Sequence, residues 1–154
     1  MAATAQHSPI LDLFRALRPN QWTKNGILLA AFMFGYWDAS QQVTLVPSLM
    51  RIIPGVALFC LASSSIYLMN DVRDRAADRA HPTKRFRPIA AGKVNVPTAL
   101  VASLLLILFV IAGAWVLDPR FLGVVLAYLL LQIVYSLLLK RIALVDVFVI
   151  ACGF

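Results

Sequence analysis

Cysteine is scarce in this sequence, and both copies lie inside apolar runs. Cys60 and Cys152 are the only two in 154 residues. A small domain held together by disulfides, or a metal cluster built on cysteines, needs more of them at characteristic spacings. The sequence therefore excludes both classes, and we expect the two cysteines to act as packing residues.

Charged residues are also few. They make up 14% of the chain, whereas hydrophobic residues make up 61% and the mean hydropathy is +0.82. This composition excludes a soluble domain and is typical of a membrane protein. The net charge of +7 does not indicate a nucleic-acid partner, because the bases lie outside or at the ends of apolar runs. We find no internal repeat and no appended soluble domain, and we expect no removable signal peptide.

Long uncharged runs predict an all-α fold, a polytopic bundle of transmembrane helices forming a single membrane domain over residues 1–154. A spanning helix needs about 20 apolar residues. Three runs are long enough. The first run has only twelve apolar residues and is extended by a less apolar stretch, and the chain ends within a fifth run. The predicted spans are 26–37 with an extension to 46, 52–69, 94–117, 121–139 and a fifth that begins at residue 142.

The distribution of bases predicts the topology. If the first run crosses the membrane, three bases before it, seven in residues 70–93 and two after the fourth run share one side. Only two bases lie on the other side of the membrane, so we expect the side with twelve bases to be cytoplasmic. We also expect the protein to be a multi-pass protein of the plasma membrane. Ser8 and Pro9 begin a predicted interfacial amphipathic helix over residues 8–18, which Pro19 ends.

Residues 70–93, the charged segment, hold three of the seven acids between two uncharged runs. Asp71, Asp74 and Asp78 are spaced i, i+3 and i+7, which places the three carboxylates on one helix face. Like charges at this spacing repel unless a cation joins them. Arg75 could pair with Asp71 at an exposed helix end, but that leaves two carboxylates unexplained. We favour Mg²⁺, which takes carboxylate oxygens together with water and substrate phosphates.

The bases that follow suit those phosphates. Lys84, Arg85 and Arg87 come directly after the aspartates, and arginine presents a planar fork of donors to phosphate. Pro82 and Pro88 disfavour helix at the residues before them. We therefore predict an ordered loop that folds back over the acidic helix end, where acids, metal, phosphate and bases meet.

Polar residues at the borders of the other runs are further candidates: Gln21, Lys24, Tyr135, Lys140 and Asp146. Each has an ordinary explanation as well as a functional one. Border tyrosines and lysines commonly anchor a helix at the interface, and they could equally contact a phosphate. An acid within a span is a candidate functional residue by default, and for Asp146 the expected partner is Lys140 or Arg141.

These motifs resemble those of UbiA-type intramembrane prenyltransferases, over about residues 18–154. Asn70, Asp71, Asp74 and Asp78 match the first aspartate-rich motif of that family, NDxxDxxxD, which implies magnesium and a diphosphate substrate. The stretches RPNQWTKN and HPTKRFRPIAAG most resemble the branch that transfers phosphoribose to decaprenyl phosphate. The resemblance implies a larger helical bundle with a second polar motif in its later half. We therefore expect the chain to be an N-terminal half that is inactive alone.

The resemblance further implies an enzyme that transfers 5-phosphoribose from phosphoribosyl pyrophosphate to a polyprenyl phosphate, for cell-wall arabinan precursors. The three aspartates would hold magnesium, and Lys84, Arg85 and Arg87 would bind the donor phosphates. Lys24 and Lys140 would meet the acceptor phosphate or the 5-phosphate. The alternatives are a prenyltransferase that uses a prenyl diphosphate on an aromatic or other acceptor, and a non-enzymatic membrane subunit. The sequence leaves open whether the protein forms a homo-oligomer.

Overall fold

The structure, a computed structural model, describes residues 8–37 and 44–137, and none of these residues lies in a strand. This confirms the all-α prediction. The elements in chain order are α1 (Pro9–Ala16), a 3-10 helix (Pro19–Gly26), α2 (Ile27–Trp37), α3 (Leu45–Arg73), α4 (Arg75–Ala80), a 3-10 helix (Lys84–Phe86), α5 (Val96–Leu117) and α6 (Pro119–Leu137).

Three of these helices, α3, α5 and α6, are long and apolar enough to cross a membrane, and the chain is a multi-pass membrane protein. The helices α5 and α6 match the spans predicted at 94–117 and 121–139. The first run forms α2, which has only 11 described residues. Residues 38–43 and the fifth run lie outside the described residues.

The start of α3 was predicted wrongly. It begins at Leu45 rather than at residue 52, so residues 45 and 46 belong to α3 and do not extend the first run. Arg51 suggested a boundary. However, α3 has 29 residues, and at 1.5 Å per residue it is about 43 Å long, against a hydrocarbon core of about 30 Å. A helix of that length carries charged residues near both ends without leaving the helical conformation.

The ends of α5 and α6 have local causes. The Asn95 side chain accepts a hydrogen bond from the Thr98 backbone N–H (2.8 Å), which caps α5 at its first turn. Asp118 separates α5 from α6 in an extended conformation, and its Oδ1 accepts from the Arg120 backbone N–H at 2.7 Å. Because Pro119 follows at once, the chain reverses within one residue, as predicted, and α6 returns beside α5.

The core lies where α3, α5 and α6 meet. Its buried residues are Leu58, Ala62, Ile66, Val110, Ala114, Val125 and Leu129. Gly113 of α5 leaves room for the Leu58 side chain of α3, because a Cβ atom at this position would lie 2.8 Å from Leu58 Cδ2. Small residues at a helix interface allow such close approach in membrane proteins.

The small residues of α3 also hold the segment that precedes α2. Ser64 is fully buried, and its Oγ accepts a hydrogen bond from Trp22 Nε1 (2.9 Å) and lies 2.8 Å from the Leu17 carbonyl oxygen. Asn25 Nδ2 donates to Ser63 Oγ at 3.4 Å. The 3-10 helix Pro19–Gly26 is therefore fixed against α3.

Helix α1 lies across the end of α3 that carries the aspartates. Ala16 is buried against a cluster that includes Leu68 and Ile89, whereas Ile10 is 82% exposed. Asp12 is buried in α1 and lies 3.6 Å from Arg15 Nη1. Exposed apolar side chains on the outer face suit a helix in the membrane interface, and that placement stays a prediction.

Candidate active site

The three aspartates lie where α3 ends and α4 begins. Asp71 is in the last turn of α3, Asp74 forms the junction with φ −85° and ψ 3°, and Asp78 lies in α4. The Asp78 N–H donates to the Asp74 carbonyl at 2.8 Å, so the helical direction continues through the junction. Asp71 and Asp78 can therefore face the same partner.

That partner is Arg87. Its Nη1 lies 2.7 Å from Asp78 Oδ2 and 3.2 Å from Asp71 Oδ1. Both aspartates are 3% exposed, so these charges are almost fully removed from water. The loop that carries Arg87 thus folds back over the acidic helix end, as its prolines predict.

A turn at His81 starts this fold-back. His81 Nδ1 accepts hydrogen bonds from the backbone N–H groups of Thr83 (3.2 Å) and Lys84 (3.3 Å), directly after α4. Farther along the loop, Arg79 Nε donates to the Ala90 carbonyl at 2.9 Å. These contacts give His81 a structural role in the turn and bring the basic residues toward α3.

Arg18 is a second cation at Asp71. Its Nη2 donates to Asp71 Oδ1, and its guanidinium carbon lies 4.9 Å from the centre of the Tyr67 ring. Arg18 has φ 55°, a left-handed conformation between α1 and Pro19 that turns the chain toward α3. Arg18 was not among the candidate site residues predicted from the sequence. Its only signal was its position directly before the polar run at 19–25.

The pairing of Arg75 with Asp71, which was the alternative to a metal site, does not occur among the described residues. Asp71 Oδ1 contacts Arg18 and Arg87 instead, and the Nε of Arg75 is buried without a hydrogen-bond partner in the described part of the chain. Helical spacing alone suggested Arg75. The two arginines that bind Asp71 come instead from segments 53 and 16 residues away.

A cavity of about 190 Å³ opens between the acidic helix end and the basic loop. Its lining residues are Arg18, Tyr67, Asn70, Asp71, Asp74, Lys84, Arg87, Tyr135 and Ser136. Six of the residues selected from the sequence therefore line one space. Amide and carboxylate groups lie along α3 and its junction with α4, while positive charges come from the other segments.

Helix α6 closes this cavity through Ser136. Ser136 Oγ donates to Asn70 Oδ1, and the Ser136 carbonyl accepts from Arg73 Nη1. Arg73 Nε also lies 3.5 Å from Asp74 Oδ1. No local sequence signal marks Ser136, because a serine near the end of an apolar run can have many roles.

The remaining selected residues lie elsewhere. Asp78 does not line the cavity, but it contacts Arg87, which does. Arg85 is exposed, with its guanidinium carbon 4.8 Å from the centre of the Phe86 ring. Gln21 and Lys24 lie on the 3-10 helix Pro19–Gly26, and neither lines this cavity. Lys140 and Asp146 lie outside the described residues.

The cavity's oxygen ligands suit a hard divalent cation in part. Within residues 8–37 and 44–137, no three acidic, histidine or cysteine side chains are grouped closely enough to hold a metal ion. Asn70, Asp71 and Asp74 nevertheless line one cavity. Mg²⁺ commonly takes one or two carboxylates and completes its shell with water and phosphate. The set therefore fits Mg²⁺ through two carboxylates, and a role for Asp78 as a ligand stays a prediction.

Comparisons with known proteins agree on one family. A family model described as the UbiA prenyltransferase family matches residues 28–154. The decaprenyl-phosphate phosphoribosyltransferase of Mycobacterium tuberculosis (strain CDC 1551 / Oshkosh) is 39% identical over 145 residues, which cover 94% of this chain and 48% of that protein.

Two further relatives carry the same name. The protein of Mycolicibacterium smegmatis is 39% identical over 153 residues, covering 94% of this chain and 45% of its own length. That of Corynebacterium glutamicum is 38% identical over 148 residues, covering 92% and 42%. The chain thus spans about half the length, or slightly less, of these curated relatives.

Proposed function

Because the chain belongs to the UbiA prenyltransferase family, we propose that it forms the diphosphate-binding part of a membrane transferase. The proposed reaction moves 5-phosphoribose from phosphoribosyl pyrophosphate to a polyprenyl phosphate, and its lipid product would supply cell-wall arabinan synthesis. The relatives named decaprenyl-phosphate phosphoribosyltransferase support this choice of substrates. The observation that carries the proposal is the cavity lined by Asn70, Asp71 and Asp74 together with Lys84 and Arg87.

The basic side chains of the cavity would bind the donor phosphates. Arginine offers paired N–H donors to phosphate, and lysine adds a compact charge. The two carboxylates that contact Arg87 hold its guanidinium at the cavity wall before substrate arrives. Such preorganisation lowers the entropic cost of positioning the donor. Arg18, held by Asp71 and Tyr67, adds positive charge on the side of α1.

The acidic wall would hold magnesium through Asp71 and Asp74, with the side-chain oxygen of Asn70 beside them. When bound, magnesium supplies positive charge that offsets the charge developing on the departing pyrophosphate. Asp78, which contacts Arg87 and does not line the cavity, would act as a positioning residue.

The transfer itself needs little from a general base. An oxygen of the lipid phosphate attacks C1 of the ribose, and the bond from C1 to the pyrophosphate oxygen breaks, so pyrophosphate leaves with the electron pair. The attacking phosphate is already anionic at neutral pH, and no proton must be removed from it. The chain's task is therefore to orient two phosphorylated substrates and keep water away from C1.

Product mass tests the proposal. Membranes that contain the full-length protein are supplied with polyprenyl phosphate, ribose-labelled phosphoribosyl pyrophosphate and magnesium, and the lipids are examined by mass spectrometry. We expect a lipid that has gained one labelled phosphoribosyl group, and no such lipid from Asp71→Asn. In a second assay, the same membranes receive prenyl diphosphate and an aromatic acceptor, and a prenylated aromatic product would establish the alternative transferase. Absence of both products, with protein that is folded and inserted in the membrane, would support a non-enzymatic subunit.

A further inference from the structure

A cavity of about 470 Å³ lies at the end of the helical bundle away from the aspartates. Its walls come from α2, α3, α6 and the turn between α5 and α6, and its apolar lining residues include Leu28, Val56 and Phe121. Arg51, a lining residue on α3, precedes Asp71 by 20 residues in the same helix. At 1.5 Å per residue the two lie about 30 Å apart, which is roughly the thickness of the hydrocarbon core. The cavity therefore lies near the membrane surface opposite the charged segment.

Two arginines line this largely apolar cavity. Arg51 comes from α3 and Arg120 from the first turn of α6, and both are exposed. Within residues 8–37 and 44–137, neither guanidinium forms an ion pair with an acid. Asp118 also lines the cavity, and its Oδ1 accepts a hydrogen bond from the Arg120 backbone N–H at 2.7 Å. The lining thus carries two positive charges and one negative charge, and it has a net affinity for an anion.

The same two arginines stand out in the sequence. They are the two bases that the charge distribution assigns to the side opposite the other twelve. Two other apolar cavities of the described residues, of about 400 and 570 Å³, have no charged lining residue. The pattern of charge along the chain and the lining of the cavity are separate observations, and both select Arg51 and Arg120. Arginines at the border of an apolar cavity hold their charged ends at the level of the lipid headgroups.

We infer that this cavity binds an anionic phospholipid, with its phosphate at Arg51 and Arg120 and one acyl chain among the apolar lining residues. A guanidinium offers paired N–H donors to a phosphate, and burial of an acyl chain is favourable in proportion to its area. Inorganic phosphate satisfies only the arginines, and an uncharged lipid satisfies only the apolar walls. The bound lipid joins α3 to the start of α6. The inference goes beyond the proposed reaction and does not depend on it.

Gly55 leaves space for the acyl chain. It is buried in α3 and lines the cavity, and a Cβ atom there would lie 3.5 Å from Phe121 Cζ. The Phe121 ring packs edge to face on Phe59, with 5.7 Å between the ring centres, and both rings line the cavity. The acyl chain therefore meets a wall of two packed aromatic rings beside a residue that has no side chain.

Removing either arginine tests the headgroup contact. Full-length protein in detergent is titrated with phosphatidylglycerol, and bound lipid is measured by native mass spectrometry. We expect Arg51→Gln and Arg120→Gln each to bind this lipid about fivefold more weakly, the effect of one basic side chain on an anionic lipid. Lys93→Gln, which removes an exposed charge from the other end of the protein, should bind it as wild type does. Neither arginine variant should invert in the membrane, because each increases the charge asymmetry.

Two valines test the acyl-chain contact. Val124 of α6 and Val101 of α5 are both 57% exposed, but only Val124 lines the cavity. Val124→Trp places a bulky ring where the acyl chain binds, and we expect phosphatidylglycerol binding to weaken at least about tenfold, the scale of a steric misfit in an apolar pocket. Val101→Trp should keep the wild-type affinity. Equal affinities in the two variants would contradict a chain bound in this cavity.

Photolabelling locates the bound lipid. Phosphatidylglycerol with a diazirine in one acyl chain is irradiated with the full-length protein in phosphatidylcholine nanodiscs, and labelled peptides are identified. We expect adducts near Val56 on α3 and Val124 on α6. Added phosphatidylglycerol should remove these adducts, whereas inorganic phosphate or further phosphatidylcholine should not.

Three results would overturn the inference. Adducts confined to other segments would show that another part of the protein fills the cavity. Equal competition by phosphatidylglycerol and phosphatidylcholine would show a lipid contact without selection for negative charge. Equal affinity of Arg51→Gln, Arg120→Gln and Lys93→Gln for phosphatidylglycerol would show that the arginines do not bind its phosphate. None of these measurements uses phosphoribosyl transfer, so the lipid site and the proposed reaction stand or fail separately.

Discussion

The guanidinium of Arg87 donates to the carboxylate of Asp78 at 2.7 Å, although Arg87 lies nine positions after Asp78 in the sequence, with Pro82 between them. The same nitrogen lies 3.2 Å from Asp71. One basic residue of the loop is therefore held by the first and last carboxylates of the aspartate motif. Because both carboxylates are buried, the position of the loop and the charge of the motif depend on each other.

Arg87→Gln should destabilise the protein. Removing one partner of a buried ion pair leaves uncompensated charge, which costs about 3 kcal/mol or more, and here two carboxylates lose the same cation. We expect a lower temperature of thermal unfolding for the purified full-length protein in detergent. Lys93→Gln is the control, since Lys93 is exposed in the same loop and the substitution removes the same charge. Equal unfolding temperatures for both variants would show that the Arg87 contacts contribute nothing to stability.

Asp78→Asn should impair use of the donor more than use of the lipid. Asp78 orients Arg87 and does not line the cavity, and loss of such an outer partner commonly lowers affinity or activity about 10- to 100-fold. We expect the KM for phosphoribosyl pyrophosphate to rise by that factor, with the lipid KM unchanged. Asp12→Asn, which replaces an equally buried aspartate in α1, should leave both KM values unchanged. A larger change in the lipid KM than in the donor KM would contradict this role.

Much of the fold could be predicted because membrane spans follow from local composition. The runs at 94–117 and 121–139 carry no charged residue and are separated by Asp118, Pro119 and Arg120, so α5, α6 and their turn were expected. The start of α3 was not, because a helix longer than the membrane includes charged residues near its ends. Arg51 therefore gave the wrong boundary.

Most of the residues that form the site were predicted, but the pairs that contact one another were not. The spacing of the aspartates and the prolines of the loop correctly suggested that acids and bases meet. The choice of partners depends on tertiary structure. Arg18 reaches Asp71 because Trp22 and Leu17 contact Ser64 of α3, and those contacts have no local sequence signal. For the same reason Ser136 could not be found, since only the return of α6 beside α3 brings it to Asn70.

Two glycines offer a matched test of helix packing. At Gly113 a new Cβ would lie 2.8 Å from Leu58 Cδ2, whereas at Gly123 no atom lies within 4 Å. Alanine improves helix propensity by up to about 1 kcal/mol over glycine. We therefore expect Gly123→Ala to keep or raise the thermal stability of the full-length protein, and Gly113→Ala to lower it relative to Gly123→Ala. The reverse order would mean that α3 and α5 do not pack closely at Gly113.

The charged segment should face the cytoplasm, as the distribution of bases predicts. Ala80, at the end of α4, is exposed. An impermeant maleimide added to intact cells should fail to label Ala80→Cys and should label it once the membrane is permeabilised. Arg120→Cys, in the turn after α5, lies on the opposite side if α5 crosses the membrane and should label from outside. Efficient labelling of Ala80→Cys in intact cells would reverse the topology.

Donor binding is the most direct test of the diphosphate site. The full-length protein in lipid nanodiscs is equilibrated with labelled phosphoribosyl pyrophosphate, with and without magnesium, and bound label is measured for wild type, Asp71→Asn and Lys93→Gln. Since Asp71 is the carboxylate that both lines the cavity and contacts Arg18 and Arg87, we predict saturable, magnesium-dependent binding to wild type and Lys93→Gln. Asp71→Asn should bind the donor at least about tenfold more weakly, equal to 1.4 kcal/mol. Binding by Asp71→Asn with the affinity and magnesium dependence of wild type would contradict the assignment of this cavity to the donor.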